Sequence, residues 1–258
     1  MATYGWRPVF IGIGLVSLLW LPAWVKWMPC GTAVSGSVAV TAGFVDILRQ
    51  RSFWGVCLGQ FCHAYLFYFM LTWLPFYLVQ EHHLSMQNMA STAAAYYLTD
   101  AVSAIATGWL SDVWIRKGYT PILIRKTIMA IGFTIAAIAM AACGARPGTY
   151  LPWLLALGIG CGMSGAGLFA FSQTLAGPST TGRWTGLQNG FGNLAGVVAP
   201  ALTGLALERT GSFSMAMTIT AVTLIIGGFA WVFVVGRVEQ INWTTKDHPL
   251  IPATVGIS

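Results

Sequence analysis

Two ionisable side chains, His63 and Asp100, lie deep inside apolar runs of this chain. Ionisable groups in such surroundings are costly, so they mark candidate functional positions. A protonated His63 can meet a carboxylate, and a neutral one can donate a single hydrogen bond. Asp100 can hold a proton, because burial favours the neutral carboxyl. Each also has a structural reading: His63 as an internal hydrogen bond, Asp100 as a partner of His63 or a polar helix contact. Around them stand amides and hydroxyls at helical spacing. Tyr65, Tyr68 and Thr72 share a run with His63, Ser172 and Gln173 end another, and Asn189 and Asn193 stand four apart on a third. Residues four apart share a helix face. Such groups can hold sugar hydroxyls or carboxylates, and each taken singly can also be interhelical glue in lipid. No catalytic triad, HExxH, metal-spaced histidine cluster or phosphate loop is present, so no cofactor, metal or catalytic residue is expected. His82 and His83 stand beside Glu81 between apolar runs and read as solvated.

The elements that carry these residues must be membrane helices. The chain has 258 residues, 56% hydrophobic and 8% charged, against about 25% charged in an ordinary soluble domain. Seven apolar segments appear: Pro8–Val25, Phe53–Val79, Ser91–Leu110, Thr127–Cys143, Leu151–Gln173, Gly186–Leu207 and Phe213–Val235. Each is near the roughly 20 residues that cross a bilayer as a helix, and the ten-residue alternation of a membrane β-barrel is absent. The expected fold is an all-α membrane protein of about seven spans. At 1.5 Å per residue, His63 then lies about 15 Å deep and Asp100 about 18 Å.

Charge placement orients the spans. With the N-terminus outside, Lys26, Arg49, Arg51, Arg116, Lys117, Arg125, Lys126, Arg183, Arg237 and Lys246 fall inside. Only Arg7, Arg146 and Arg209 fall outside, and this bias favours a cytoplasmic C-terminus. The net charge of +6 is thus spread in loops, which argues against a nucleic-acid partner. Residues 1–28 read as the first span, 29–52 as a cytoplasmic linker rich in small residues up to Phe44, 53–236 as a six-helix body and 237–258 as a cytoplasmic tail. An odd number of spans with an outside start is what remains when an earlier block of helices is absent. Cys57, Cys62, Cys143 and Cys161 lie in apolar runs, and with Cys30 they form no CxxC pair. They read as small packing residues.

Glycines crowd two spans. Gly158, Gly160, Gly162, Gly165 and Gly167 include a literal GxGxxG, but within an apolar helix close packing explains it better than a nucleotide. Gly182, Gly186 and Gly190 recur every fourth residue, followed by Gly192 and Gly196, and Pro200 is expected to bend that helix.

The third span runs into Gly108-Trp-Leu-Ser-Asp112-Val-Trp-Ile-Arg116-Lys117-Gly118, with Arg125-Lys126 beyond. This resembles the Gly-x-x-x-Asp…Arg signature of the major facilitator superfamily. The resemblance implies a cytoplasmic latch built from Gly108, Asp112, Arg116, Lys117 and Arg125. Val113 departs from it, standing where many members place a basic residue. The stretches Thr72-Trp-Leu-Pro75-Phe-Tyr77-Leu78 and Asn189-Gly-Phe-Gly192-Asn193-Leu-Ala-Gly196 look like the anion:cation symporter branch. That branch includes bacterial sugar-acid transporters, sialin and the vesicular glutamate transporters.

The resemblance covers nearly the whole chain and matches the sixth to twelfth helices of that fold. It implies a C-terminal half of two inverted three-helix repeats plus the preceding helix, with the first five helices absent. It also implies symport of a small organic anion such as a sugar acid, with a proton as coupling ion, by alternating access. His63 would stand where the vesicular glutamate transporters carry a substrate-binding arginine. The setting would be the lipid bilayer of a bacterial inner membrane. A missing N-terminal half or a partner chain would supply the second wall. A half-size or truncated protein remains a second expectation, and a membrane-embedded receptor or enzyme a third.

Overall fold

The computed structural model describes residues 7–28, 42–145, 147–236 and 238–243. The expectations resting on Arg146, Arg237, Lys246, Cys30, residues 29–41 of the linker and most of the tail lie outside the described residues. Two compact units divide the chain, Met1–Ala39 and Val40–Ser258. The first contains α1 (Arg7–Trp27), which is long and apolar enough to cross a membrane. A turn at Leu19 breaks α1 into two shorter helices.

The second unit is a bundle of seven helices among the described residues. They are α2 (Phe44–Leu48), α3 (Arg51–Gln80), α4 (Met86–Arg116), α5 (Pro121–Ala145), α6 (Tyr150–Ala176), α7 (Thr181–Thr210) and α8 (Phe213–Val234). Among the described residues six helices are long and apolar enough to cross a membrane, and α4 is not one of them. Its 31 residues could reach about 46 Å, so length is not the obstacle. Thr92, Thr99, Asp100, Ser103 and Thr107 dilute its apolar character. The third expected span, Ser91–Leu110, is therefore part of a long helix of lower hydropathy.

Local chemistry sets the ends. Ser85 accepts from the Asn88 amide at 3.3 Å to begin α4. Gly118, at φ +93°, follows its end, and Pro121 opens α5, where a missing N–H costs nothing. Gly211 closes α7 in the left-handed region at φ +66°. Ser212 and the Glu81 carboxylate then take the first amides of α8, from Ser214 and Phe213. The break in α7 falls at Leu194, six residues before Pro200. Pro200 sits inside a continuous helical stretch, so the expected bend is displaced. α6 breaks at Ala166–Gly167.

The linker expectation changes at its far end. The Ala42 amide donates to Thr180 Oγ1 at 3.2 Å, and Arg183 Nη1 donates to the Ala42 carbonyl at 2.8 Å. Residues 42–52 are thus tied to the bundle and partly helical, because these polar groups find partners on α7 and the turn before it. His82 also differs from its solvated reading. Its ring stacks on Tyr150 at 3.8 Å and meets Tyr77 edge-on at 4.8 Å. Burial there pulls its pKa below the ordinary imidazole value, with Glu81 opposing. His83 is exposed.

The packing order is symmetric. α6 packs against both α4 and α5, α3 packs against both α7 and α8, and α5 meets α8. Exchanging α3 with α6, α4 with α7 and α5 with α8 leaves this set of contacts unchanged. That is the pattern of two three-helix repeats.

Candidate substrate-facing site

The α3–α7 seam carries the main polar constellation. Tyr68 Oη donates to Asn193 Oδ1 at 2.7 Å. Asn193 Nδ2 donates to the Asn189 carbonyl at 2.8 Å and to Asn189 Oδ1 at 2.9 Å. Gln60 Nε2 donates to the same Oδ1 at 3.2 Å. Gln188 Nε2 donates to Gln60 Oε1, and Ser172 Oγ donates to Gln188 Oε1. One ladder of amides therefore runs from the exposed face of α7 through α3 to α6. Its inner end is dry, with Gln188 and Ser172 at 0% exposure and Gln60 at 6%. Its outer end, Asn189 and Asn193, is exposed.

Two glycines make room for it. A Cβ on Gly192 would lie 2.5 Å from Gln60 Cγ, and one on Gly196 would lie 3.0 Å from Tyr68 Cζ. The glycine run of α7 thus seats side chains of α3.

A second polar line crosses α6. His63 Nδ1 lies 3.1 Å from Ser164 Oγ. Ser164 Oγ donates to the Cys161 carbonyl at 2.9 Å. Asp100, half-buried, lies against the Cys161 thiol. His63 and Asp100 do not pair directly; a single turn of α6 stands between them.

The other expected residues separate. Tyr65 is buried against Ala195 and Ala199. Thr72 and Gln173 are exposed, and among the described residues their side chains join neither line. At one end of the bundle Gly108, Asp112 and Arg125 line a shared pocket with Thr107 and Ser111. No ion pair joins Asp112 to Arg116, Lys117, Arg125 or Lys126 among the described residues. Lys126 instead donates to the Val232 carbonyl at 3.4 Å and to that of Gly236. Cys57, Cys62, Cys143 and Cys161 are free and buried.

A family model described as Major Facilitator Superfamily matches residues 1–124. Over these residues the chain is similar to the major facilitator superfamily. It is 23% identical to a probable galactarate/D-glucarate transporter of Bacillus subtilis, over 93% of this chain and 58% of that protein. It is 26% identical to a D-galactonate transporter of Escherichia coli, over 92% of this chain and 61% of that protein. It is also 26% identical to a sodium-dependent phosphate transport protein of Arabidopsis thaliana chloroplasts, over 88% of this chain and 48% of that protein. The chain thus spans about six-tenths or less of the length of these relatives, all of which are named as transporters.

The sequence singled out Tyr68, Ser172, Asn189 and Asn193, and the ladder joins them. It missed the two glutamines that connect them. Gln60 stands three residues before His63, and Gln188 stands next to Asn189. The available signal was a long polar side chain on each of two apolar runs, at positions that face each other only once α3 and α7 are packed.

Proposed function

We propose that this chain forms one wall of a carrier for small organic anions of the sugar-acid kind, working by alternating access. The observation that carries this reading is the amide ladder, whose exposed end offers Asn189, Asn193 and Tyr68 on one face. Polyhydroxylated acids match such a surface, since amides and phenols bond both hydroxyl and carboxylate oxygens. The names of the sugar-acid relatives agree with it. The exposed polar face calls for a second wall across it, from a further helix block or a partner chain.

His63 and Asp100, on either side of one turn of α6, are the proposed proton-linked pair. Proton rather than sodium coupling, a bacterial inner membrane and a cytoplasmic C-terminus complete the reading. The pocket of Asp112 and Arg125 would then lie at the cytoplasmic end, where the latch with Gly108, Arg116 and Lys117 would act.

Equilibrium binding of galactarate to the chain in lipid nanodiscs tests the proposal. Saturable binding that falls about tenfold or more in Asn189→Ala, a loss of one to two polar contacts, supports it. Equal affinity in wild type and Asn189→Ala, or no saturable binding, would sink it. Acidification of the lumen on uptake into proteoliposomes tests the coupling ion separately.

A further inference from the structure

The ladder has a direction, and its chemistry fixes that direction. Asn193 Nδ2 lies 2.8 Å from the backbone carbonyl of Asn189. That carbonyl can only accept, so the atom facing it must be the amide nitrogen. The same nitrogen lies 2.9 Å from the side chain of Asn189, so the atom there must accept and is Oδ1. The Gln60 atom 3.2 Å from that oxygen must then donate. Gln60 Oε1 is left to accept from Gln188 Nε2, and Gln188 Oε1 accepts from Ser172. Every step follows from the one before it. At Asn193 the oxygen is used as well, by Tyr68.

Asn189 differs from the other three amides. Its oxygen takes two donors, while its Nδ2 has no acceptor among the described residues. The residue is exposed, whereas Gln188 and Gln60, which hold the buried end of the ladder, are not. A ladder serving only to glue helices would have no reason to leave both hydrogens of one amide nitrogen free at its exposed end.

We infer that Gln60, Gln188 and Ser172 are positioning residues that lock the polarity of Asn189, so that this wall presents N–H donors and no amide oxygen to the ligand. The inference rests on the carrier reading and deepens it. It assigns to Asn189 the recognition of acceptor oxygens, carboxylate above all, and discrimination against cationic ligands. A free amide can turn over and serve either sign, and a locked one cannot.

Gln60→Glu tests the lock, because protonation switches it. The ionised carboxylate accepts only, so it repels Asn189 Oδ1 and draws Nδ2 inward. The protonated acid has one O–H to give to Oδ1 and one oxygen to accept from Gln188, which restores the native pattern. The side-chain NH2 resonances of Asn189, assigned by their absence in Asn189→Asp, report the orientation without any ligand. In Gln60→Glu they should move at high pH and return toward wild-type positions on acidification. Galactarate affinity, taken as a ratio to wild type at each pH, should fall about tenfold at high pH and recover at low pH.

Gln60→Met keeps the length and lacks both polar atoms. It should displace the Asn189 resonances with no pH dependence, and it serves if Gln60→Glu does not fold. Resonances unmoved in both variants would overturn the inference. A moved and pH-restored amide in a chain whose wild type binds no galactarate would leave the orientation standing and sink the carrier reading alone.

Discussion

The α4–α6 and α3–α7 seams occupy equivalent places in the two repeats, yet they are built from opposite materials. In the first, backbones touch. A Cβ on Gly158 would lie 3.0 Å from the Tyr96 carbonyl oxygen, and one on Gly162 only 2.3 Å from that of Asp100. In the second, glycine leaves room for side chains, and amides fill it. Both use small residues for close approach in lipid. What fills the gap differs: main chain at one seam, a hydrogen-bonded ladder at the other. The same architecture thus supports a seam that fixes helices and a seam that reaches the exposed face with polar groups.

The largest effect is expected where nothing can give way. Gly162→Leu drives a branched side chain into the Asp100 carbonyl and the Ala104 amide, which lies 2.8 Å from the ideal Cβ. Backbone cannot rotate aside, so α4 must leave α6, at a cost of at least about 3 kcal/mol. The check is folded yield and thermal midpoint in detergent. A wild-type midpoint would mean that the two helices already slide apart.

Gly192→Ala probes the polar seam with less violence. The obstacle there is Gln60 Cγ at 2.5 Å, part of a side chain that can move. The expected cost is about 1–3 kcal/mol, with the ladder broken between Gln60 and Asn189. The variant should remain folded and bind galactarate more weakly. Collapse equal to that of Gly162→Leu would erase the distinction between the two seams.

Gln188→Leu removes the middle of the ladder without crowding it. It leaves Gln60 Oε1 without its donor in a dry site, while the Ser172 hydroxyl keeps the Leu168 carbonyl at 3.1 Å as acceptor. An orphaned buried polar group costs about 1–3 kcal/mol. Replacing Gln60 with leucine as well removes that orphan. The double variant should then be less destabilised than the sum of the two single changes. Strict additivity, measured by denaturation in mixed micelles, would show that the two amides do not act on each other.

How much of this was legible in the chain differs between the seams in the same way. The α4–α6 seam announced itself, because Gly158 and Gly162 lie in one apolar run and small residues in lipid mean helix contact. The repeats were expected from resemblance and emerged in the packing order. The ladder was half legible. Asn189 and Asn193 share a face by spacing alone, but Gln60 and Gln188 are joined across 128 positions of chain, which no periodicity reports. Tyr65 and Tyr68 looked alike three residues apart. Their helix rotates one toward Ala195 and Ala199 and the other toward Asn193. His82 was misread because its neighbours in sequence are polar, while its ring contacts come from α3 and the start of α6.

The smallest effect is expected on the opposite face of α7. Ideal Cβ atoms on Gly182, Gly186 and Gly190 meet nothing within 4 Å, whereas that on Gly192 meets Gln60. The same residue type thus has two meanings on one helix: Gly192 and Gly196 leave space that Gln60 and Tyr68 fill, and the other three leave open space. Gly186→Ala removes unfolded-state freedom without adding a clash. It should leave the chain as stable as wild type or raise it by about 0.5–1 kcal/mol. Thermal midpoints of Gly186→Ala and Gly192→Ala, side by side in one lipid, make the comparison within a single helix. A gain at the first with a loss at the second assigns the glycine requirement to the α3 side chains. A loss at both would mean that the whole stripe is packed in the bilayer, and the contrast between the two faces would fall.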